Sequence, residues 1–459
     1  IQWQRTYISD NTHSGILGRG WSLPFTLFLL CKDEDVIFVD AQGREIPFPL
    51  QEIGQSYYSK FERITLLRTA VQQWELITQD GMRLVFGVTD TVDEAHESAQ
   101  TDLATIAQDE QRVLLRSILD SNGNEFKLRY DTTGLLELIE RSDGFRLQLA
   151  YAGRNFVGGA RLIEVRWTSG DASKPDDPLG SLLVSYRYSS QGDLEEVLDG
   201  SGRVCQRFRY VDHQLVERVE ASGLTVQYEW SAHSTSGHVV SMRHSTGLAW
   251  SFARDKATYH VRVTQDSGAL SRTVEQYFDE DGHIIRSVDA MGAVARWERD
   301  AFGNVQSFTD PEGGITRYEY DPLGRTLMVV LPDGSQQTTK WFGNLDKPAA
   351  IADGLGRTTR FEWDERGNLL QTTEPDGSTT SYRYDERGLP VTIVDALGKS
   401  KQLHYNTLGQ LTQYIDCSGQ STQFSWDLEG NVLSVTDALG QVTRHGYTYI
   451  NRRQRLTYL

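Results

Sequence analysis

The chain has 459 residues, a length that exceeds an ordinary single hydrophobic core and predicts several domains or a repeat array. Its net charge of −17 argues against a nucleic-acid partner, because phosphates are repelled by an acidic surface. The composition combines 41 glycines and 20 tyrosines with only 4 methionines, which is typical of many short strands and tight turns.

The three cysteines, Cys31, Cys205 and Cys417, are too few and too far apart for a disulfide framework or a paired-cysteine metal site. We therefore expect folding in a reducing cytosol. No apolar run approaches the roughly 20 residues of a membrane-spanning helix, so no membrane-spanning segment is expected. The chain starts at Ile1 without a methionine or a signal-peptide pattern, and we interpret it as a piece of a longer protein.

Residues 1–117 predict a first segment of irregular β structure. Its most apolar stretch is residues 21–30, which a second short apolar run follows at 36–39. Between residues 89 and 111 the pattern lapses into an acidic segment without aromatic residues. We interpret that segment as an exposed loop or as a short helix laid over the sheet.

Residues 118–278 predict a second segment, made of degenerate copies of a repeat. A first partial copy spans residues 123–144, and the later glycines Gly202 and Gly223 are 21 residues apart. Residues 169–180 and 231–237 are interpreted as loop insertions. Since interrupted copies are common in repeat arrays, we expect the same architecture here rather than a separate domain.

Residues 279–459 form a third segment, in which one 21-residue unit is repeated and the last copy is truncated. Two series of positions trace the unit along the chain. The first series is Gly282, Gly303, Gly324, Asp346, Gly367, Gly388, Gly409 and Gly430, and the second is Gly292, Gly313, Gly334, Gly356, Gly377, Gly398, Gly419 and Gly440. Each series has one step of 22 residues instead of 21, and a single inserted residue between 334 and 346 explains both. The alternation leaves about six residues for each strand, which predicts an antiparallel meander of hairpins.

The first glycine series lies in turns written Tyr-Asp-x-x-Gly. An aspartate at the first position accepts a hydrogen bond from the backbone two residues on, and glycine at the fourth supplies the positive φ. We expect a structural role, and no catalytic or cofactor-binding role, for the turn residues Asp321, Gly324, Asp364, Gly367, Asp385, Gly388, Gly409 and Gly430.

Bulky rings recur one and three residues before the turn aspartate. The pairs are Tyr318 and Tyr320, Phe361 and Trp363, Tyr382 and Tyr384, and Phe424 and Trp426. Because positions two apart share a face of a strand, the rings predict columns on one side of the sheet. Such columns stabilise paired strands, but exposed columns could also bind sugars or peptides. The choice depends on which face they occupy.

Other polar clusters do not predict chemistry. Acidic runs at 176–177 and 279–281 are interpreted as solvated turn residues rather than calcium ligands. His233, His238 and His244 lack the spacing of a metal site, so no metal or other cofactor is expected. No Gly-x-Ser-x-Gly context supports a hydrolase.

Tyr-Asp-x-x-Gly at 21-residue spacing resembles the YD-repeat proteins, and residues 353–368 resemble the wording of the bacterial Rhs (rearrangement hot spot) proteins. Residues 5–7 and 17–22 resemble the segment that opens the Rhs core. The repeats alone do not distinguish the Rhs proteins from teneurins or toxin-complex subunits, and the opening segment favours the Rhs proteins. The resemblance implies a long ribbon wound into a hollow β-cocoon, and a twisted sheet of far more than about ten strands must curl.

The resemblance also implies a function. The chain would be a structural shell, not an enzyme, that sequesters and helps deliver a C-terminal toxin domain absent from this chain. Made in the bacterial cytoplasm and then secreted, as in type VI secretion and bacterial competition, it would meet spike proteins and chaperones through regions outside this chain. Rhs cores end in a self-cleaving motif similar to Asp-Pro-x-Gly, but residues 321–324 lie in the ordinary turn register and predict only a turn. The alternative is a cell-surface adhesive or carbohydrate-binding repeat protein.

Overall fold

The computed structural model describes residues 3–9, 11, 14–32, 34–87, 111–152, 159–168, 181–234, 236–427, 430–447 and 453–458. Across these ranges the chain forms strands and turns, and none of them contains a helix long and apolar enough to cross a bilayer. The predicted all-β antiparallel meander is confirmed. Apart from Gln111, which begins a strand, the predicted loop or helix at 89–111 lies outside the described residues, as do the insertion at 169–180 and the acidic pair at 176–177.

Short hairpins and a small three-stranded sheet open the chain, and the ribbon starts at β8. The strands are β1 Thr6–Tyr7, β2 Ser14–Gly15, β3 Gly18–Arg19, β4 Trp21–Ser22, β5 Phe28–Cys31, β6 Asp35–Val39, β7 Glu45–Pro49, β8 Ser56–Ser59, β9 Ile64–Ala70, β10 Gln73–Thr78, β11 Arg83–Gly87 and β12 Gln111–Leu119. Strand β12 joins the two parts, because its first half pairs with β5 and its second half pairs with β11 and β13.

Longer strands with less regular turns follow, in the segment where degenerate repeats were predicted. They are β13 Glu125–Tyr130, β14 Leu136–Arg141, β15 Arg146–Ala152, β16 Arg161–Thr168, β17 Ser181–Tyr188, β18 Leu194–Asp199, β19 Val204–Val211, β20 Gln214–Glu220, β21 Thr225–Trp230, β22 Val239–His244, β23 Ala249–Asp255, β24 His260–Asp266 and β25 Ser271–Phe278. Each pairs antiparallel with the next, without a break in the sheet.

The regular array supplies five- and six-residue strands in alternation. They are β26 Ile284–Val288, β27 Val294–Arg299, β28 Val305–Thr309, β29 Ile315–Tyr320, β30 Thr326–Val330, β31 Gln336–Trp341, β32 Pro348–Ala352, β33 Thr358–Trp363, β34 Leu369–Thr373, β35 Thr379–Tyr384, β36 Pro390–Val394, β37 Ser400–Tyr405, β38 Leu411–Ile415, β39 Ser421–Trp426, β40 Val432–Thr436, β41 Val442–Tyr447 and β42 Arg453–Tyr458.

The inserted residue lies in the turn between β31 and β32. That turn runs over residues 342–347, one residue longer than the turn at 321–325. Asp346, aligned with the glycines by spacing, is not left-handed; Gly343 carries the positive φ of this turn, +52°. In this longer turn the Asp346 N–H points away from the turn and donates a hydrogen bond to the carbonyl of Gln79 at 3.0 Å.

The hydrophobic core is confined to the first half of the chain. Every apolar residue that is fully buried among the described ranges lies between Leu17 and Val226. In the core, Leu17, Trp21 and Phe25 of the N-terminal segment pack against one face of strands β13–β20. Beyond Val226 the sheet continues with half-buried rings on the same face, and no apolar side chain in the described residues there is buried.

Candidate functional site

The turns of the first series share one hydrogen-bond pattern. In the turn at 321–325, the Asp321 carbonyl accepts the N–H of Gly324 at 2.9 Å, and Gly324 has φ of +79°. One Asp321 carboxylate oxygen accepts the N–H groups of Leu323 and Arg325, both at 2.9 Å. The bond four residues on was not anticipated from the sequence. It lets one carboxylate bond both sides of the turn.

The other singled-out residues occupy equivalent places. Asp364 and Asp385 bond their turns in the same way, and Asn406 takes the aspartate position before Gly409. The φ angles of the glycines are +79° at Gly367 and Gly388, +76° at Gly409 and +85° at Gly430.

Hydrogen bonding favours the ionised form of the Asp385 carboxyl. Burial by itself would raise the pKa of the Asp385 carboxyl, but the Leu389 N–H and the Arg387 guanidinium lower it below 3.8 overall. The same guanidinium donates to the carbonyls of Asn406 and Thr407 in the next turn, both at 3.0 Å. Arg325 likewise donates to the carbonyls of Gly343 and Leu345 at 3.0 and 2.7 Å. Neighbouring turns are therefore clamped together by arginine.

From residue 320 onward, the ring that precedes each first-series turn donates a hydrogen bond to the carbonyl 15 residues earlier. The Tyr384 hydroxyl bonds the Leu369 carbonyl at 2.8 Å, and a register shift between Arg383 and Tyr384 turns the ring toward it. The same bond is made by Tyr130, Tyr151, Trp230, Tyr320, Trp341, Trp363, Tyr405, Trp426 and Tyr447. Arg299 replaces the ring in one repeat and reaches the Ile284 carbonyl at 3.5 Å.

The ring columns lie on the inner face of the ribbon. Along β29, Tyr318 and Tyr320 are half-buried, whereas Arg317 and Glu319 point to the opposite, exposed face. On the same face as the rings, the N-terminal segment docks: the Trp3 and Trp21 indoles donate to the hydroxyls of Tyr186 and Tyr210, both at 2.9 Å. The face carrying the rings is thus the one that the N-terminal segment covers in the first half of the chain.

This inner face is almost uncharged. Over the described strands β27–β41, pairing and alternation put only Arg299 and Lys401 among the formal charges on the ring side. Several aliphatic side chains on it remain about two-fifths exposed. They are Ile285, Leu327, Ile351, Leu370 and Leu433. The charged strand residues, such as Arg360 and Glu362, lie on the outer face.

The ribbon coils until two rows of its turns meet, a contact that we call the seam. Second-series turns of the early strands contact first-series turns of the late strands, always 241 to 267 residues away. The side-chain bonds are Tyr58 and Gln79 to the Leu323 carbonyl, Arg63 to Asn304, Asn122 to Asn368, Asn124 to the Arg387 carbonyl, and Arg141 to the Leu408 carbonyl. The nearly constant separation shows that successive turns of one coil stack on the other.

The polar residues singled out in the sequence make local contacts. His233 bonds Gln214, His238 bonds Ser231, and His244 packs on the Trp250 ring. Asp279, Asp281 and His283 hold ligand atoms within 4.8 Å of one another, but one Asp279 oxygen already accepts two turn N–H groups.

One carboxylate–imidazole pair was not anticipated. Buried Asp193 bonds His213 Nδ1 at 2.8 Å beside a cleft of about 560 Å³ that Arg19 also lines. Both His213 and the preceding Asp212 are left-handed, which makes a tight two-residue hairpin turn. The pair connects this turn to the neighbouring one at 189–193, and no hydroxyl is bonded to the imidazole in the described residues.

The fold and its seam define a class: wound, antiparallel repeat sheets with a neutral inner face. Two family models match parts of this chain. The RHS Repeat model matches residues 278–315, 299–336, 345–379, 363–400 and 405–442, and a model described as a domain of unknown function, DUF6531, matches residues 1–48. The chain belongs to the Rhs/YD-repeat family.

Curated relatives are much longer than this chain. Toxin protein Tse5 of Pseudomonas aeruginosa is 32% identical over 66% of the chain and 24% of its own length. Double-stranded DNA deaminase toxin A of Burkholderia cenocepacia is 30% identical over 60% of the chain and 17% of its length. Probable deoxyribonuclease RhsB of Dickeya dadantii is 25% identical over 67% of the chain and 21% of its own length.

The chain is also similar to solved structures. The TcdB2-TccC3 crystal structure matches 100% of this chain and 35% of its own, at 12% identity and a TM-score of 0.33. The TcdB2-TccC3-Cdc42 structure matches 92% of the chain and 30% of its own, at 11% identity and a TM-score of 0.33.

Proposed function

We propose that this chain is the wall of a shell that encloses a C-terminal toxin domain supplied by a longer protein. One observation carries the proposal: the ribbon coils back to a seam, with a neutral, aromatic-lined face turned inward. Charged residues line the outer face of the array. A wall of this kind works by exclusion and requires no catalytic residues.

The relatives support the toxin part of the proposal. Two are named as toxins and one as a probable deoxyribonuclease, and the chain matches no more than 24% of the length of any of these three. We infer that the activities in those names belong to other parts of the relatives. For this chain we propose a structural role, and delivery from the producing bacterium to a target cell by type VI secretion. Spike proteins and chaperones would be engaged through other parts of the protein.

Within the wall, we propose three segments with separate tasks. Residues 1–117 start the coil and fill one end of it, residues 118–278 form its first turns, and residues 279–459 extend it. In the extension, we propose that the turn residues Asp321, Gly324, Asp364, Gly367, Asp385, Gly388, Gly409 and Gly430 are structural: the aspartates bond turn N–H groups and the glycines supply the left-handed backbone.

The position of the rings weighs against the adhesive alternative. A platform that binds sugars needs rings open to solvent, and these rings face inward with their hydroxyl or indole donors bonded to backbone carbonyls. A glycan screen on the isolated chain would support the alternative only if binding were lost on replacing Tyr382 or Phe361.

The test of enclosure is a mass comparison on the protein expressed from the complete gene. We expect the native mass to include a C-terminal fragment that separates only under denaturing conditions, and that added protease leaves intact until denaturant is present. The control is the same fragment expressed alone, which protease should degrade. A single uncleaved chain whose residues beyond 459 are digested freely would contradict enclosure.

A further inference from the structure

The seam is held by side-chain hydrogen bonds and not by a strand ladder. Its hydrogen bonds join amide, guanidinium and phenol groups to carbonyls or to other amides. Asn122 and Asn368 exchange two bonds, at 3.1 and 2.8 Å, and Arg63 donates to Asn304 at 3.0 Å. The Asp346 N–H supplies a backbone bond across it. Hydrogen bonds between neutral partners contribute little net stability, because each replaces a bond to water, and the charged donors Arg63 and Arg141 bond only neutral oxygens across the seam.

Apolar burial adds little to the seam. Phe61 and Phe302 meet edge to face with ring centres 6.2 Å apart, but their exposed fractions are 66% and 43%. None of the seam residues belongs to the buried hydrophobic core. Since hydrophobic burial is the main stabilising contribution in protein interfaces, the seam is the weakest line in the wall.

Each coil is held together without the seam. Along the ribbon, β29 and β30 form a continuous backbone ladder, Tyr320 reaches back to Val305 at 2.8 Å, and Arg325 clamps the next turn. The first N-terminal residues bind strands on their own side of the seam, for example through Trp21 to Tyr210. Parting of the two sides of the seam therefore leaves the strand ladders of the ribbon fully paired.

We infer that the seam is a built-in line of opening: the coils separate cooperatively between residues 58–141 and 304–408 while the strand ladders remain intact. The inference concerns the ribbon alone and holds whether or not cargo is enclosed. Opening along this line would create a slit in the wall without unfolding it.

Native-state hydrogen exchange on this chain tests the inference. The reporter is the Asp346 amide, which crosses the seam, and the reference is the ladder amides of β33. The variant is Asn122→Asp with Asn368→Asp, which removes the amide pair one turn away from Asp346 and sets two carboxylates against each other. We expect the reporter to exchange at least about tenfold faster in the variant, with the ladder amides unchanged.

Two controls make the outcome decisive. Gln420→Glu introduces a charge at the same position within a second-series turn of the late strands, a row of turns that lies away from the seam. It should leave the exchange rate of the Asp346 amide unchanged. Asn122→Cys with Asn368→Cys, in a chain whose three native cysteines are replaced by serine, should slow exchange at Asp346 when a short bifunctional maleimide joins the thiols. If Asp346 exchanges at the ladder rate, or responds to neither change, the seam does not open as a unit and the inference is wrong.

Discussion

The two halves of the ribbon have the same strand pairing but obtain their stability differently. In the first half, the N-terminal segment lies on the inner face, so residues such as Leu162 and Leu194 are 0% exposed. In the array from residue 279, no apolar side chain of the described residues is buried, and on the same face Leu370 remains 39% exposed. There the turns, ring-to-carbonyl bonds and arginine clamps must supply what burial supplies elsewhere.

This difference explains why the repeat is regular only in the second half. Where a core is buried, many apolar side chains of suitable size satisfy the same space, and turns vary. Where no core exists, each hairpin depends on specific turn residues, and the 21-residue unit is therefore kept with few departures. The predictions below test this comparison in order of decreasing effect.

The largest effect is expected from emptying the buried core. Leu194→Ala should lower the free energy of unfolding by about 3 kcal/mol, because a fully buried leucine is replaced by a cavity. Leu370→Ala, on the exposed inner face of the array, should cost less than about 1 kcal/mol. Urea unfolding followed by circular dichroism compares the two. Equal losses would mean that the array also has a buried core.

A turn glycine should matter next. Gly388→Val forces a branched residue into a left-handed conformation, at a cost of about 1–3 kcal/mol. Its Cβ would also lie 2.3 Å from the Asn122 amide across the seam, whereas nothing lies within 4 Å at Gly398. Thermal melting should show a larger loss for Gly388→Val than for the matched Gly398→Val. Unchanged melting in both would contradict the turn assignment.

Removing one ring-to-carbonyl bond should have a smaller effect. Tyr384→Phe deletes the hydroxyl that bonds Leu369 and should cost about 1 kcal/mol. Tyr382→Phe is the matched control, since it changes the neighbouring ring in the same column, and it should cost less than about 0.5 kcal/mol. Equal effects in urea unfolding would show that the column acts only through ring packing.

The smallest effects are expected from pH. Hydrogen bonds lower the pKa of Asp385, so its stabilising contribution is complete above pH 3.8 and is lost as the pH falls through its folded pKa. Burial raises the pKa of Asp346, so ionisation of that carboxyl disfavours the fold as the pH rises above 3.8. Asp385→Asn should therefore destabilise and Asp346→Asn slightly stabilise at pH 7. Both differences should shrink on acidification, and the opposite sign for either would contradict its assignment.

The sequence was sufficient for the strands and turns, because the spacing of glycines such as Gly367 and Gly388 marks each hairpin directly. The ring-to-carbonyl bond also left a signal that was not used: from residue 320 onward every ring before the turn is tyrosine or tryptophan, whereas phenylalanine occurs only two residues earlier, as in Phe361. The seam left none. It joins residues more than 240 apart, and its position depends on the accumulated twist of many strands.

The central claim, that the ribbon is wound, is tested most directly by one distance. Spin labels on Ser121→Cys and Arg366→Cys, with native cysteines replaced by serine, flank the Asn122–Asn368 pair without removing it. The strands between these turns, at about 4.8 Å each, would separate the labels by about 100 Å in a flat ribbon. The wound structure predicts that pulsed electron spin resonance finds them within about 25 Å. A distance beyond about 50 Å would show that the coil does not close.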